Sequence, residues 1–91
     1  MITRLHAYYF GTVQGIGFRY TACDIAGRLD ITGWVKNLRD GRVEVMAEGE
    51  EGRLKTFLSE LEGEMGIYVK DIDIHWTEPT GEFHEFDIRF A

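Results

Sequence analysis

The chain has 91 residues, 44% of them apolar, with one proline and no low-complexity run, enough for one small core and not for two. Its 16 acidic residues against 10 Lys and Arg leave a formal charge of −6, which argues against nucleic acid as a general partner, since phosphate backbones are held by clustered cations. No apolar run approaches membrane-spanning length and no charged-then-apolar leader opens the chain, so no membrane association and cytoplasmic residence are expected.

Residues 3 to 13 alternate, with Leu5, Ala7, Tyr9, Gly11 and Val13 on one side and His6, Tyr8 and Phe10 on the other. Period two predicts a strand with the first set facing the core. Gln14-Gly15-Ile16-Gly17 then interrupts the pattern, and Phe18, Ala22, Ile25, Ala26 and Leu29 follow at helical spacing. The helix is expected over 18 to 29, with Asp30 as a residue that tolerates the left-handed stop. A glycine-broken turn from strand to helix leaves backbone N–H groups without intrahelical partners where the helix dipole is positive. That is an anion site in outline, and Arg19 adds a planar cationic fork in the first turn.

The next run, 31 to 38, resumes strand character. Asp40-Gly41 is a hairpin signal, and Val43, Val45 and Ala47 alternate along the returning strand. Gly49 to Gly52 opens a second helix with a stripe of Leu54, Phe57, Leu58 and Leu61 and a stop at Gly63. Residues 64 to 67 read as a connection, 69 to 76 as a strand, Glu78-Pro79-Thr80-Gly81 as a turn, and Phe86, Ile88 and Phe90 as a last strand. The order β-α-β-β-α-β with a short fifth strand predicts the α+β, ferredoxin-like split βαβ: an antiparallel sheet with two helices on one face, treated as a single domain over residues 1 to 91. Right-handed crossovers give strand order 4-1-3-2 with the fifth at an edge. Strands one and two then run parallel, so Arg19 and Asn37, each near the end of one of them, emerge on the same rim.

The side chains outside this rim read as structural. Cys23, the only cysteine, allows no intrachain disulfide and no cysteine-based metal site, and no histidine is near in sequence to activate it. His6, His75 and His84 show no metal-ligand spacing, and Lys36 and the acidic runs 48 to 51 and 60 to 64 read as solvated.

Two stretches carry a resemblance. Val13-Gln14-Gly15-Ile16-Gly17-Phe18-Arg19, with Gly33-Trp34-Val35-Lys36-Asn37-Leu38-Arg39-Asp40-Gly41-Arg42-Val43-Glu44-Val45 and Glu48-Gly49, resembles the paired signatures of the acylphosphatases, small ferredoxin-like hydrolases of carboxyl–phosphate anhydrides. Past Gly63 the match is topological only, with Gly63-Glu64-Met65-Gly66 where the family has Gly-Pro-Pro. The resemblance implies Arg19 as the phosphate-binding arginine and Asn37 as the asparagine that positions the attacking water. It also implies a phosphate cradle formed by the backbone amides of Gln14, Gly15, Ile16, Gly17 and Phe18. The substrate it implies is a small acyl phosphate, with inorganic phosphate as a product and with no metal, cofactor or covalent intermediate.

The alternative is a non-catalytic ferredoxin-like binding module, with Tyr8 and Phe10 as a base-stacking surface. Glu44, Met46 and Glu48 on the neighbouring strand oppose it. A domain cut from a larger maturation protein with zinc-binding regions is a second rival. The chain reaches Ala91 without such a region, and a free-standing monomer is expected, although an exposed terminal strand leaves edge pairing open.

Overall fold

The computed structural model describes residues 1 to 90. Its elements are β1 (Ile2–Gly11), α1 (Phe18–Arg28), β2 (Thr32–Asn37), β3 (Val43–Glu50), α2 (Glu51–Met65), a 3-10 turn (Gly66–Tyr68), β4 (Val69–Thr77) and β5 (Phe86–Arg89). The sheet order is β4-β1-β3-β2-β5, with β5 parallel to β2 and every other neighbouring pair antiparallel. This is the expected ferredoxin-like plan, fifth strand included.

Alternation builds the core. Leu5, Ala7 and Tyr9 of β1 stand beside Val43, Val45 and Ala47 of β3, all buried, under the inward stripes of α1 (Phe18, Ala22, Ile25, Ala26) and α2 (Leu54, Phe57, Leu61, Met65). Helix α1 stops where expected, with Asp30 left-handed at φ 53°. The Asp40-Gly41 hairpin closes with Leu38 N–H donating to the Arg42 carbonyl at 2.8 Å.

Four boundaries differ from the sequence expectation, and at β3 and α2 tertiary packing outweighs the local glycine signal. Strand β1 ends at Gly11, which is exposed, while Val13 turns back into the core. Strand β3 continues through Gly49 to Glu50 because its whole length is paired with β1, where Ile2 faces Glu50. Helix α2 runs through Gly63 to Met65, whose buried side chain repays the extra turn. Phe90 lies beyond β5 and is 81% exposed.

The two edge strands, β4 and β5, lie on opposite sides of the sheet, so the connection 78–85 must cross its helix-free face as a strap. Glu48 holds the strap down: its carboxylate accepts from the N–H groups of Thr80 (2.8 Å) and Gly81 (2.9 Å), from the Thr80 hydroxyl (3.0 Å) and from Arg4 Nε (2.7 Å). Glu48 is therefore 4% exposed, and its assignment to a solvated acidic run is corrected. Burial alone would raise its pKa, but the two backbone donors, Arg4 and the Thr80 hydroxyl together hold it below the ordinary carboxylate value. The other half of this face is filled as well. His6 Nε2 lies 2.6 Å from Glu44, and Arg42 sits 4.7 Å above Tyr8 and 5.8 Å above Phe10, covering the surface a base would need.

Candidate active site

The strand-to-helix turn forms as the glycine spacing demands. Gly15 (φ 78°) and Gly17 (φ 83°) both adopt the left-handed conformation, and space around each is open where a side chain would project. On either side the loop is nailed to the core by Val13 and by Phe18, whose ring meets Tyr9 edge-on at 4.8 Å. The turn is thus shaped by buried neighbours and vacant in its crook.

Gly17 is the N-cap of α1, no side chain caps the helix, and no acidic residue occupies its first turn. The first intrahelical bond runs from Thr21 N–H to the Gly17 carbonyl at 3.0 Å, and among the described residues no backbone carbonyl accepts from the amides of Gly15 to Tyr20. Into this positive end the sequence places Arg19, a cation where the helix dipole disfavours one. An anion seated there resolves both the unpaired donors and the unfavourable charge.

Arg19, Asn37, Gly15, Gly17, Phe18, Val13 and Tyr20 line one cavity of about 240 Å³. The expectation that Arg19 and Asn37 share a rim therefore matches the geometry. Gln14 stands beside the cavity and Ile16 packs partly into the core, so their contribution to it is backbone. Asn37 Oδ1 is buried without a hydrogen-bond partner among the described residues. Leaving such an acceptor unpaired costs on the order of 1–3 kcal/mol, so its persistence calls for a donor supplied from outside the chain. Arg19 forms no salt bridge among the described residues; its guanidinium carbon lies 5.5 Å from the centre of the Phe90 ring. A second hollow, of about 290 Å³, shares Arg19 and Asn37 and continues past Leu38, Arg39 and Phe90.

Two contributors escaped the sequence reading. The Gln14 side chain donates from Nε2 to the carbonyls of Leu38 (2.7 Å) and Arg42 (2.9 Å), tying the turn to the β2–β3 hairpin that carries Asn37. Phe90, past the last strand, supplies the aromatic face beside Arg19. Neither has a local signal, because each acts on residues far away in the chain. Cys23 is half-buried and its thiol is pushed up by burial and then by Asp87, the opposite of what a nucleophile needs.

A ferredoxin-like sheet whose first strand-to-helix turn is an open, cation-capped cradle defines a class of small α+β proteins suited to binding a tetrahedral anion. The acylphosphatase family model matches residues 5–88. An acylphosphatase from Roseiflexus sp. (strain RS-1) is 39% identical over 88 residues, covering 96% of this chain and 95% of that protein. The crystal structure of acylphosphatase from Bacillus subtilis superposes with a TM-score of 0.88 at 36% identity, covering 98% of this chain and 99% of that one. HypF from T. kodakarensis also contains the fold, with a TM-score of 0.81 at 28% identity over 96% of this chain and 12% of that one. The chain belongs to the acylphosphatase family and is an enzyme of that activity. Among the described residues no helix is long and apolar enough to cross a membrane.

Proposed function

We propose that this chain hydrolyses acyl phosphates to carboxylate and inorganic phosphate, with Arg19 and the amides of Gln14 to Phe18 holding the phosphoryl group and Asn37 steering water in line. The observation that carries this reading is the unpaired, buried Asn37 Oδ1 in the same cavity as Arg19 and the open glycine turn. An amide oxygen accepts a hydrogen bond from water and orients it, but is too weak a base to take its proton. As the water oxygen bonds to phosphorus and the bond to the acyl oxygen breaks, the proton passes to a phosphoryl oxygen of the dianionic substrate. The departing carboxylate has a conjugate acid of pKa about 4, so it leaves without protonation by the enzyme. Arg19 and the amides balance the charge on the phosphoryl oxygens as the transition state loosens. The hollow toward Leu38, Arg39 and Phe90 gives the acyl group its way out.

The test is turnover of acetyl and benzoyl phosphate by wild type, Arg19→Ala and Asn37→Ala, with inorganic phosphate binding measured in parallel by calorimetry. Arg19→Ala is expected to lose both binding and turnover, Asn37→Ala turnover alone. Loss of phosphate binding in Asn37→Ala would overturn the division of roles. An alkoxide, unlike a carboxylate, departs only with a proton, and no Asp, Glu or His is among the described residues that line the two hollows, so glycerol phosphate is expected to be left uncleaved; appreciable release of phosphate from it would refute the leaving-group argument.

A further inference from the structure

Cations are the minority charge in this chain, and most of them are already paired. Of its ten Lys and Arg, six pair with a carboxylate among the described residues: Arg4, Arg28, Lys36, Arg42, Arg53 and Lys55. The other four are Arg19, Arg39, Lys70 and Arg89. Three of those four, Arg19, Arg39 and Arg89, line the one hollow of about 290 Å³ that continues outward from Asn37, and no Asp or Glu is among the described residues that line it. In a chain of formal charge −6 acidic partners are abundant, so three arginines gathered without one leave a local positive field that an anion from outside can answer.

The fold brings these side chains together from three segments. Arg19 opens α1, Arg39 follows Asn37 into the β2–β3 hairpin, and Arg89 arrives because β5 runs parallel to β2, with Arg89 opposite Lys36, so that both strands end on the same rim. Aromatic rings hold Arg89: its guanidinium carbon lies 5.3 Å from the centre of the Trp34 ring and 5.9 Å from that of Phe83. Such contacts fix the side chain without neutralising its charge. With a phosphoryl group in the glycine cradle, Arg19 is committed to it, whereas Arg39 and Arg89 lie further along the path of the acyl chain. A neutral acyl group such as acetyl or benzoyl leaves both unanswered. We infer that Arg39 and Arg89 form a second anion subsite at the acyl end, and that the preferred substrates are acyl phosphates whose acyl chain carries a further anionic group, a carboxylate or a phosphate. The subsite extends, and depends on, the acyl phosphate site proposed above. Both arginines would touch the chain and not the bond being broken, so they set specificity and take no part in the chemistry.

Steady-state kinetics on butanoyl phosphate, succinyl phosphate and 3-phosphonopropanoyl phosphate, chains of similar length ending in a methyl, a carboxylate and a phosphonate, test the subsite. At low ionic strength wild type is expected to favour at least one anionic substrate over butanoyl phosphate by about tenfold in kcat/KM, and the preference is expected to shrink as salt is added. The larger of the two preferences tells whether a carboxylate or a phosphate is the group recognised. Arg39→Gln and Arg89→Gln are each expected to cut the preference by roughly fivefold, and Arg39→Glu to abolish it. Arg39 is exposed, so its variants report on the subsite even if loss of the Trp34 contact destabilises Arg89→Gln. Lys70→Gln removes the same charge from the opposite edge of the sheet and is expected to leave the preference intact. Butanoyl phosphate cleaved as efficiently as both anionic substrates, a preference untouched by Arg39→Glu, or an equal loss in Lys70→Gln would each overturn the subsite and leave acyl phosphate hydrolysis standing. Cleavage of none of the three would overturn both.

Discussion

The rim around Arg19 and the helix-free face of the sheet treat their polar groups in opposite ways. On that face, Glu48 takes four donors from Arg4, Thr80 and Gly81 under the strap, and beyond it Glu44 is met by His6 and Lys36. At the rim, Asn37 Oδ1 is buried and unpaired, α1 has no cap, and a cation sits at its positive end. Folding alone favours the first arrangement, since satisfied buried groups stabilise and unsatisfied ones cost. The second is what a protein keeps where a ligand is to complete the set.

The widest break in this contrast comes from Arg19→Ala. Removing the one formal charge among the described residues that line the cradle is expected to lower kcat/KM by about a thousandfold or more on acetyl phosphate while leaving thermal unfolding at or above wild type, because the helix loses an unfavourable charge. Asn37→Ala follows, with kcat expected to fall roughly a hundredfold and phosphate affinity preserved, read by steady-state kinetics beside calorimetry.

The opposite signature is expected from Glu48→Ala. It should cost about 2 kcal/mol of stability in denaturant unfolding with turnover per folded molecule unchanged, since the strap N–H groups and Arg4 lose their acceptor. The same carboxylate predicts a pH effect. Its folded pKa lies below the unfolded value near 4.5, so its stabilisation is complete above that value and is lost as pH falls through the folded pKa. Wild type should therefore lose stability on acidification below about pH 4.5 more steeply than Glu48→Ala. The smallest effect is expected from chelation: EDTA should leave turnover unchanged, because the proposed mechanism gives Arg19 and backbone donors the work a divalent cation would do. A loss restored by added metal would break that expectation.

Much of the fold was legible because its elements announce themselves at short range. Period two in β1 and β3, period 3.6 in α1 and α2, and the Asp40-Gly41 turn are local preferences, and the chirality of crossovers converts their order into a topology. Glu48 was misread because its sequence neighbours are acidic, whereas its partners Thr80 and Gly81 arrive from the far side of the sheet. Trp34 illustrates the same limit. Its parity places it opposite the helix-covered face, yet it is only 7% exposed, with Arg89 and Lys36 over its ring.

By itself the sequence determined the element order, the glycine-broken turn, the family signatures and the parallel ends that bring residues 19 and 37 to one rim. Each of these follows from spacing along the chain or from topology. Only the tertiary structure decided that Gln14 ties the turn to the hairpin, that Phe90 sits beside Arg19, that Glu48 pins the strap and that Asn37 Oδ1 is without a partner among the described residues. Those facts are contacts between segments distant in sequence, and whether a polar group is satisfied depends on what the rest of the chain brings to it.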